Sequence, residues 1–309
     1  MSLKFVSYID LPEHIKPGGF DHAAVHTQRD YLYVAHTANN AVDIIDCRED
    51  RYLYSIPDLP GVAGALVSET DDLVFTSNRD ENTVGIFIPG TKDNVEKIDV
   101  GIRPNGLAYD TKRGQLLVAH VGMADVTGST TVSVIKVSEK RILSTLPVAG
   151  RTRWTIFDAG SNNFYVNIAS PAEIVVIHAD QPDTITCTFP IPVTGPHGLD
   201  IDSETQRLFC ACDGGQLVVL DAHSGTILHQ EPISGVPDVI FFNSERQHLY
   251  IAVGNPGVID VFDTQQMCLL ETIDTEPGAH TLAFDPVHNK VYAFLPESHR
   301  AAVYVDEAS

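Results

Sequence analysis

The segment Gly195-Pro196-His197-Gly198-Leu199-Asp200-Ile201-Asp202 opens a unit that the chain repeats seven times. The copies begin with similar short phrases, in which one position can be aligned throughout: Asp21, Ala63, Asn105, Trp154, His197, Asp238 and His280. The intervals between these positions are 42, 42, 49, 43, 41 and 42 residues. A period in this range, carried by short strands and tight turns, is typical of the blades of a β-propeller.

The copy that begins at residue 195 shows the pattern of one blade. Its apolar runs at 198–202, 207–212, 216–221 and 226–232 are separated by turns rich in Gly, Asp, Ser and Thr. Runs of about four to eight residues between turn formers are strand signals. No segment of useful length has the spacing of an amphipathic helix. We therefore predict an all-β, seven-bladed propeller with four-stranded blades.

The ends of the chain indicate how the ring closes. The seventh copy stops one strand short of a blade, and the segment 3–11, which precedes the first copy, supplies the missing outer strand. Closure of this kind removes open strand edges that invite pairing with other chains. We predict one domain over residues 1–309, a monomer, with blades starting near residues 18, 60, 102, 151, 195, 235 and 277.

Composition limits the class of protein. The net charge is −21, with 20 basic residues against 41 acidic ones, and such a field disfavours nucleic acid and anionic membranes. The first residues lack the apolar region of a signal peptide, and no run reaches the ~18 apolar residues of a membrane helix. The five cysteines do not have the spacing of a disulfide framework. We expect a cytoplasmic protein; an exported native form is the alternative.

The repeat also predicts which distant residues meet. In a propeller, the loops that lead into the inner strands share one face with the loops that join the second and third strands. The first set carries Asp21, His22, Arg103, Asn105, Arg153, Trp154, His197, Asp238 and His280. Fifteen residues beyond the aligned positions lie the second-strand ends, among them His36, Asn78, His120 and Cys212. Five of the 13 histidines therefore map to one mouth: His22, His36, His120, His197 and His280.

Imidazoles gathered with carboxylates in a concave place suit a divalent metal site or an acid–base site. We predict His36, His120, His197, His280 and Asp21 as metal ligands, with Zn, Mn, Mg or Ca as the candidate ions. His197 and His280 are the catalytic candidates, and the residues expected to bind a ligand are Asn105, Arg153, Trp154, Asp238 and His22. The alternative is structural, because polar residues at a propeller mouth also satisfy strand-end backbone groups.

Two further features stand out in the repeats. Cys210 and Cys212 alternate on one strand, which predicts two buried free thiols facing the same side of a blade. The third copy contains an insertion at 121–129, after His120, that accounts for its 49-residue interval. We predict that this loop lies beside the mouth as a lid or carries Asp125 inward.

Several phrases resemble those of a known family. Phe20-Asp21-His22-Ala23, Tyr31-Leu32-Tyr33-Val34-Ala35 and Gly278-Ala279-His280-Thr281-Leu282 are similar to the repeats of YVTN/YncE-like seven-bladed propellers. Pro196-His197-Gly198-Leu199 is more distantly similar to a motif of virginiamycin B lyase, and the mouth residues resemble those of gluconolactonase-like propellers. These likenesses imply the propeller fold and, for the last two, a channel that holds a divalent cation.

Two functional hypotheses follow. In the first, the mouth binds a divalent metal and a small ligand, and the protein is a metal-dependent hydrolase or lyase that opens lactones or performs β-elimination. In the second, the propeller is a non-catalytic scaffold for a small ligand or a protein partner of unknown identity. Metal analysis of the purified protein discriminates between the two hypotheses.

Overall fold

The computed structural model describes residues 2–92 and 94–307 and contains 28 strands in seven antiparallel sheets of four. The predicted seven-bladed propeller is confirmed. Three one-turn 3₁₀ helices lie in the turns between successive strands of the first and third blades: Thr27–Arg29, Thr37–Asn39 and Val137–Glu139. Each of the first six blades runs from its inner strand outward in chain order.

The strand bounds follow the period of the sequence. The first blade comprises β2 (Ala23–His26), β3 (Tyr31–His36), β4 (Ala41–Asp46) and β5 (Arg51–Ile56). The second comprises β6 (Val62–Ser68), β7 (Leu73–Asn78), β8 (Thr83–Phe87) and β9 (Glu96–Asp99). The third comprises β10 (Pro104–Asp110), β11 (Gln115–His120), β12 (Thr131–Lys136) and β13 (Arg141–Pro147). The fourth comprises β14 (Thr152–Asp158), β15 (Asn163–Ile168), β16 (Glu173–His178) and β17 (Cys187–Pro190).

The remaining three blades continue the order. The fifth comprises β18 (Pro196–Asp202), β19 (Arg207–Cys212), β20 (Gln216–Asp221) and β21 (Ile227–Pro232). The sixth comprises β22 (Val236–Asn243), β23 (His248–Asn255), β24 (Val258–Asp263) and β25 (Cys268–Asp274). The seventh comprises β26 (Thr281–Asp285), β27 (Lys290–Leu295) and β28 (Arg300–Asp306), with β1 (Leu3–Asp10) as its outer strand.

Strand β1 closes the ring as the sequence predicts. It pairs antiparallel with β28, from Leu3 opposite Asp306 to Asp10 opposite Arg300. The backbone N–H of Leu11 extends the pairing by donating to the carbonyl of His299 at 2.9 Å. The first and last parts of the chain are thus held in one sheet, so the seventh blade has its full complement of strands.

Side chains at the strand ends fix the turns of the blades. In five blades the last residue of the inner strand accepts hydrogen bonds from backbone N–H groups two and three residues on, a local pattern typical of Asx turns. These residues are Asp110, Asp158, Asp202, Asn243 and Asp285. The apolar core lies between adjacent blades; Tyr165 of the fourth blade, for example, packs in one cluster with Leu199 of the fifth.

The closing strand offers a test of how much the seam contributes to stability. Ile9 is 3% exposed and belongs to the cluster between the seventh and first blades. We expect Ile9→Ala to lower the free energy of unfolding by about 2–4 kcal/mol, because it leaves a cavity in that cluster. Val6→Ala on the same strand, at a side chain 49% exposed, should cost under about 1 kcal/mol. Urea unfolding measures both; equal small effects would show that the seam contributes little.

Candidate functional site

Ten side chains enclose a cavity of about 220 Å³ at the mouth of the propeller, which we call the mouth chamber. They come from the starts of inner strands and from neighbouring loops: Asp21, His22, Arg79, Asn105, Arg151, Arg153, Trp154, His197, Asp238 and His280. Eight of the residues singled out in the sequence therefore lie together. His36 and His120 are not among them.

Asp238 lies at the centre of a buried network in the chamber. Its two carboxylate oxygens face two imidazoles, with His197 Nε2 at 3.1 Å from Oδ1 and His280 Nδ1 at 3.1 Å from Oδ2. Burial raises the pKa of the Asp238 carboxyl, but the charges of the imidazoles outweigh burial and hold that pKa well below its usual range. Asp238 is therefore an anion that joins the fifth and seventh blades through the sixth.

His197 lies between two carboxylates. Its Nδ1 is 2.7 Å from Asp213 Oδ1, on the side opposite to Asp238. Burial lowers the pKa of His197, but Asp238 and Asp213 outweigh that effect and raise the pKa to about 9. At neutral pH His197 is an imidazolium that donates both of its N–H groups to carboxylates.

Arg153 adds a second cation beside this imidazolium. Its Nη2 lies 3.3 Å from Asp213 Oδ2, and its Nη1 lies 2.9 Å from His197 Nε2. Nε2 of His197 thus faces both Asp238 and the guanidinium of Arg153. Because each terminal nitrogen of a guanidinium carries two hydrogens, Nη1 keeps one donor beside this contact.

The opposite wall of the chamber is built around Arg79. Its Nη1 lies 3.1 Å from Asp21 Oδ2, and its Nη2 donates to the side-chain oxygen of Asn105. Asp21 also lies 3.3 Å from His22 Nε2. Burial lowers the pKa of His22 below its ordinary value, although Asp21 and Asp238 oppose that shift. The neutral His22 ring thus separates the charged wall from the channel.

Trp154 forms the floor of the chamber. Its indole lies 4.1 Å from the ring of His22 and contacts Phe241 edge to face. Both Trp154 and His22 also line a second cavity, a space of about 390 Å³ that follows the inner strands along the channel. The tilted pair therefore lies between the mouth chamber and the channel, and it places the chain's single tryptophan in contact with both.

His36 lies away from the chamber, between the first and seventh blades. It is fully buried, with Nδ1 2.7 Å from Asp43 Oδ2 and its ring against Phe20 and His14. The prediction that His36 shares one opening with His197 and His280 is therefore wrong. Its neighbours make it a core residue that is paired with a carboxylate of its own blade.

His120 is likewise enclosed between blades. Its Nδ1 lies 2.8 Å from the hydroxyl of Thr131, and its Nε2 accepts the backbone N–H of Gly101 at 3.2 Å. Gly101 is packed so closely on the ring that an added Cβ would lie 2.7 Å from it. Burial lowers the pKa of His120 to about 4. Both nitrogens are occupied, so the ring does not reach the predicted common site.

The predicted metal ligands consequently do not converge. Both nitrogens of His197 face carboxylates, and those of His280 face Asp238 and the carbonyl of Phe20. Within residues 2–92 and 94–307, no group of three or more His, Cys, Asp or Glu side chains has a geometry that could hold a metal ion. The residues present do not fit a metal centre in this arrangement.

The alternation of side chains along a strand explains which residues the sequence analysis missed. His36, Asn78, His120 and Cys212 end their second strands and are all buried between blades. The residue that follows each of these strand ends points to the opposite side. At two of these positions the side chain reaches the mouth chamber or pairs with a residue of the chamber: Arg79 lines the chamber, and Asp213 pairs with Arg153. A count of sixteen instead of fifteen residues from the aligned position would have found both.

Arginines make the mouth locally cationic. Arg79, Arg151, Arg153 and the His197 imidazolium supply four positive charges, against the three carboxylates of Asp21, Asp213 and Asp238. Burial lowers the pKa of Arg151, as do the charges of Arg153, Arg79 and Arg103. Among the described residues, the Arg151 side chain has no ion-pair partner. The mouth thus carries a positive excess in a protein of net charge −21.

The two cysteines of the fifth blade are free and buried, as predicted. Their sulfur atoms are 3.8 Å apart, and burial raises the pKa of Cys210 well above its usual range. They pack in the cluster between the fourth and fifth blades and do not line the chamber.

Comparisons with known proteins support the fold. No family model and no curated protein matches the chain. Among solved structures, a chain of hydrazine synthase from Kuenenia stuttgartiensis is similar with a TM-score of 0.83 and 12% sequence identity, over 96% of this chain and 97% of that chain. At this identity the likeness shows the seven-bladed fold alone. In the described parts of the chain no helix is long and apolar enough to cross a membrane.

Proposed function

We propose that the mouth chamber binds a small organic anion through a carboxylate. The observation that carries this proposal is the excess of cationic groups around a cavity of about 220 Å³. A carboxylate placed there accepts from Arg151, which lacks an ion-pair partner among the described residues, and from the Nη1 donor of Arg153. Charge-assisted hydrogen bonds from arginine to a carboxylate are short, directional and about twice as strong as neutral ones.

The size and lining of the chamber favour a small ligand with one polar end. The side chain of Asn105 offers a further polar contact beside the cavity, and the indole of Trp154 supplies an apolar floor. The arginine cluster also overcomes the overall negative field, because close charges outweigh distant ones that lie beyond about 8 Å at physiological ionic strength.

Binding without turnover is favoured over the hydrolase or lyase hypothesis. A general base must be unprotonated at the working pH, whereas His197, whose pKa is raised to about 9, is protonated at neutral pH. Asp238, the strongest candidate acceptor, is already engaged by two imidazoles. The hypothesis of a metal-dependent enzyme gains no support from this site, because the imidazole nitrogens of His197 and His280 are directed at oxygen acceptors.

Three further expectations from the sequence stay within this proposal. Kinship with YVTN/YncE-like propellers is suggested by the repeated phrases, and the seven-bladed fold is compatible with it. A reducing, cytoplasmic setting is suggested by five cysteines that are all unpaired. A monomer is suggested by the closed ring, in which β1 completes the sheet of the seventh blade.

Calorimetric titration with acetate and propionate tests the proposal. We expect saturable binding that weakens about tenfold to a hundredfold in Arg151→Gln and in Arg153→Gln, because each removes a charged donor worth about 1.5–3 kcal/mol. Arg141→Gln is the matched control: Arg141 is an exposed residue of β13, paired with Glu139, and loses the same charge outside the chamber. No binding by the parent protein, or equal weakening in all three variants, would refute the proposal.

A further inference from the structure

The insertion of the third blade forms a groove beside the chamber. This groove has a volume of about 480 Å³ and is lined by the loop residues 121–125 together with Arg103, Thr130 and Arg151. Arg151 lines the groove and the mouth chamber alike. The two spaces are therefore neighbours across one guanidinium, and a ligand held by Arg151 in the chamber can extend into the groove.

The loop that builds the groove is held in a defined shape. The hydroxyl of Ser129 accepts the backbone N–H of Met123 at 2.9 Å and donates to the Met123 carbonyl at 3.0 Å. The backbone N–H of Gly122 donates to the carbonyl of Ile102 at 3.0 Å. Gly122 has a φ of +70°, and an added Cβ would lie 2.6 Å from the Ser129 hydroxyl. Only glycine fits at this point, and the hydrogen bonds of Ser129 and Gly122 hold the loop as one wall of the groove.

Met123 is the main apolar side chain that this wall presents. It is 46% exposed although the loop around it is bonded internally. A flexible, polarisable thioether held at the surface is suited to contact an apolar ligand of variable shape. Asp125 and Arg103 line the same groove with opposite charges, so once Arg151 holds a carboxylate the groove has no net charge that attracts a second anionic group.

We propose that the ligand is an amphipathic organic acid whose carboxylate lies in the mouth chamber and whose uncharged apolar chain lies in the groove against Met123. This inference rests on the proposed function, because the carboxylate end must be held first. Each methylene that is buried in the groove strengthens binding about fourfold. The insertion of the third blade then sets the specificity of the site for chain length.

A series of straight-chain monocarboxylates from acetate to hexanoate tests this inference by calorimetric titration. We expect the affinity of the parent protein to rise with each added methylene and the rise to be flattened in Met123→Gln. Met123→Leu should keep the rise in affinity with each added methylene. Val126→Gln is the matched control, because Val126 is 40% exposed in the same loop but does not line the groove; it should behave as the parent.

The outcomes separate the two proposals. If the short acids bind and hexanoate binds no better, or if Met123→Gln retains the full rise, the groove is not part of the site while the chamber proposal stands. If acids of every length fail to bind the parent protein, both proposals are refuted. Equal flattening by Met123→Gln and Val126→Gln would show that the loop acts through its fold rather than through contact, and would also overturn the inference.

Discussion

Asp238→Asn is expected to lower the free energy of unfolding by about 2–4 kcal/mol, since removal of one member of a largely buried ionic network leaves its partners only partly compensated by water. Asparagine keeps the shape of the side chain, so the loss reports on charge. The variant should also lower the pKa of His197 from about 9 toward the ordinary value of 6.5, because Asp238 is the strongest influence that raises it. Urea unfolding and NMR titration of the His197 ring measure the two effects.

Asp213→Asn is the matched control for this network. Asp213 also faces His197, at 2.7 Å, but its side chain is 30% exposed, so water compensates part of the loss. We expect a cost of about 1 kcal/mol and a smaller change in the pKa of His197. A loss below about 1 kcal/mol in Asp238→Asn, with the His197 titration unchanged, would contradict the central role given to Asp238.

The second large effect is a loss of stability as the pH rises above 6.5. His197 has a folded-state pKa of about 9 against 6.5 in the unfolded chain, so its contribution is complete below pH 6.5 and is lost as the pH rises through 9. His120 has a folded-state pKa of about 4, so its contribution is complete above pH 6.5 and is lost as the pH falls through 4. Each contributes about 3 kcal/mol.

Two variants test which histidine causes the decline in stability on each side of the pH profile. His197→Gln should remove most of the decline on the alkaline side. On the acid side it should weaken only the part that comes from Asp238, whose pKa His197 helps to lower. His120→Gln should reduce the decline on the acid side, where His22, whose pKa is also lowered by burial, retains a share. Urea unfolding at a series of pH values measures the slopes, which are independent of any constant change in stability. A flat profile between pH 6.5 and 9 would show that His197 is not held as an imidazolium.

The period of the chain determines most of the fold. Residues that recur every 42 or so positions predict both the number of blades and the role of β1, because each blade must bury its faces against neighbours and the seventh copy lacks an outer strand. The same period places the inner-strand starts at one mouth, and it is there that Asp21, Asn105, Trp154, His197, Asp238 and His280 meet.

The direction of individual side chains was harder to predict. Because side chains alternate along a strand, a count that is wrong by one residue assigns to the chamber a side chain that lies between blades, and the reverse. This count assigns His36 and His120 to the mouth and misses Arg79. Protonation was also beyond the sequence: His197 and His120 have pKa values of about 9 and about 4 because of neighbours that are distant in the chain or of burial alone.

Trp154 fluorescence tests the central claim most directly, since Trp154 is the single tryptophan of the chain and forms the floor of the mouth chamber. Propionate added at pH 7 should change the emission of the parent protein saturably. The change should weaken above pH 9, as the His197 imidazolium loses its proton, and should require much higher propionate in Arg151→Gln. Emission that does not respond to propionate, or that responds equally in the parent and in Arg151→Gln, would contradict an anion site in the chamber.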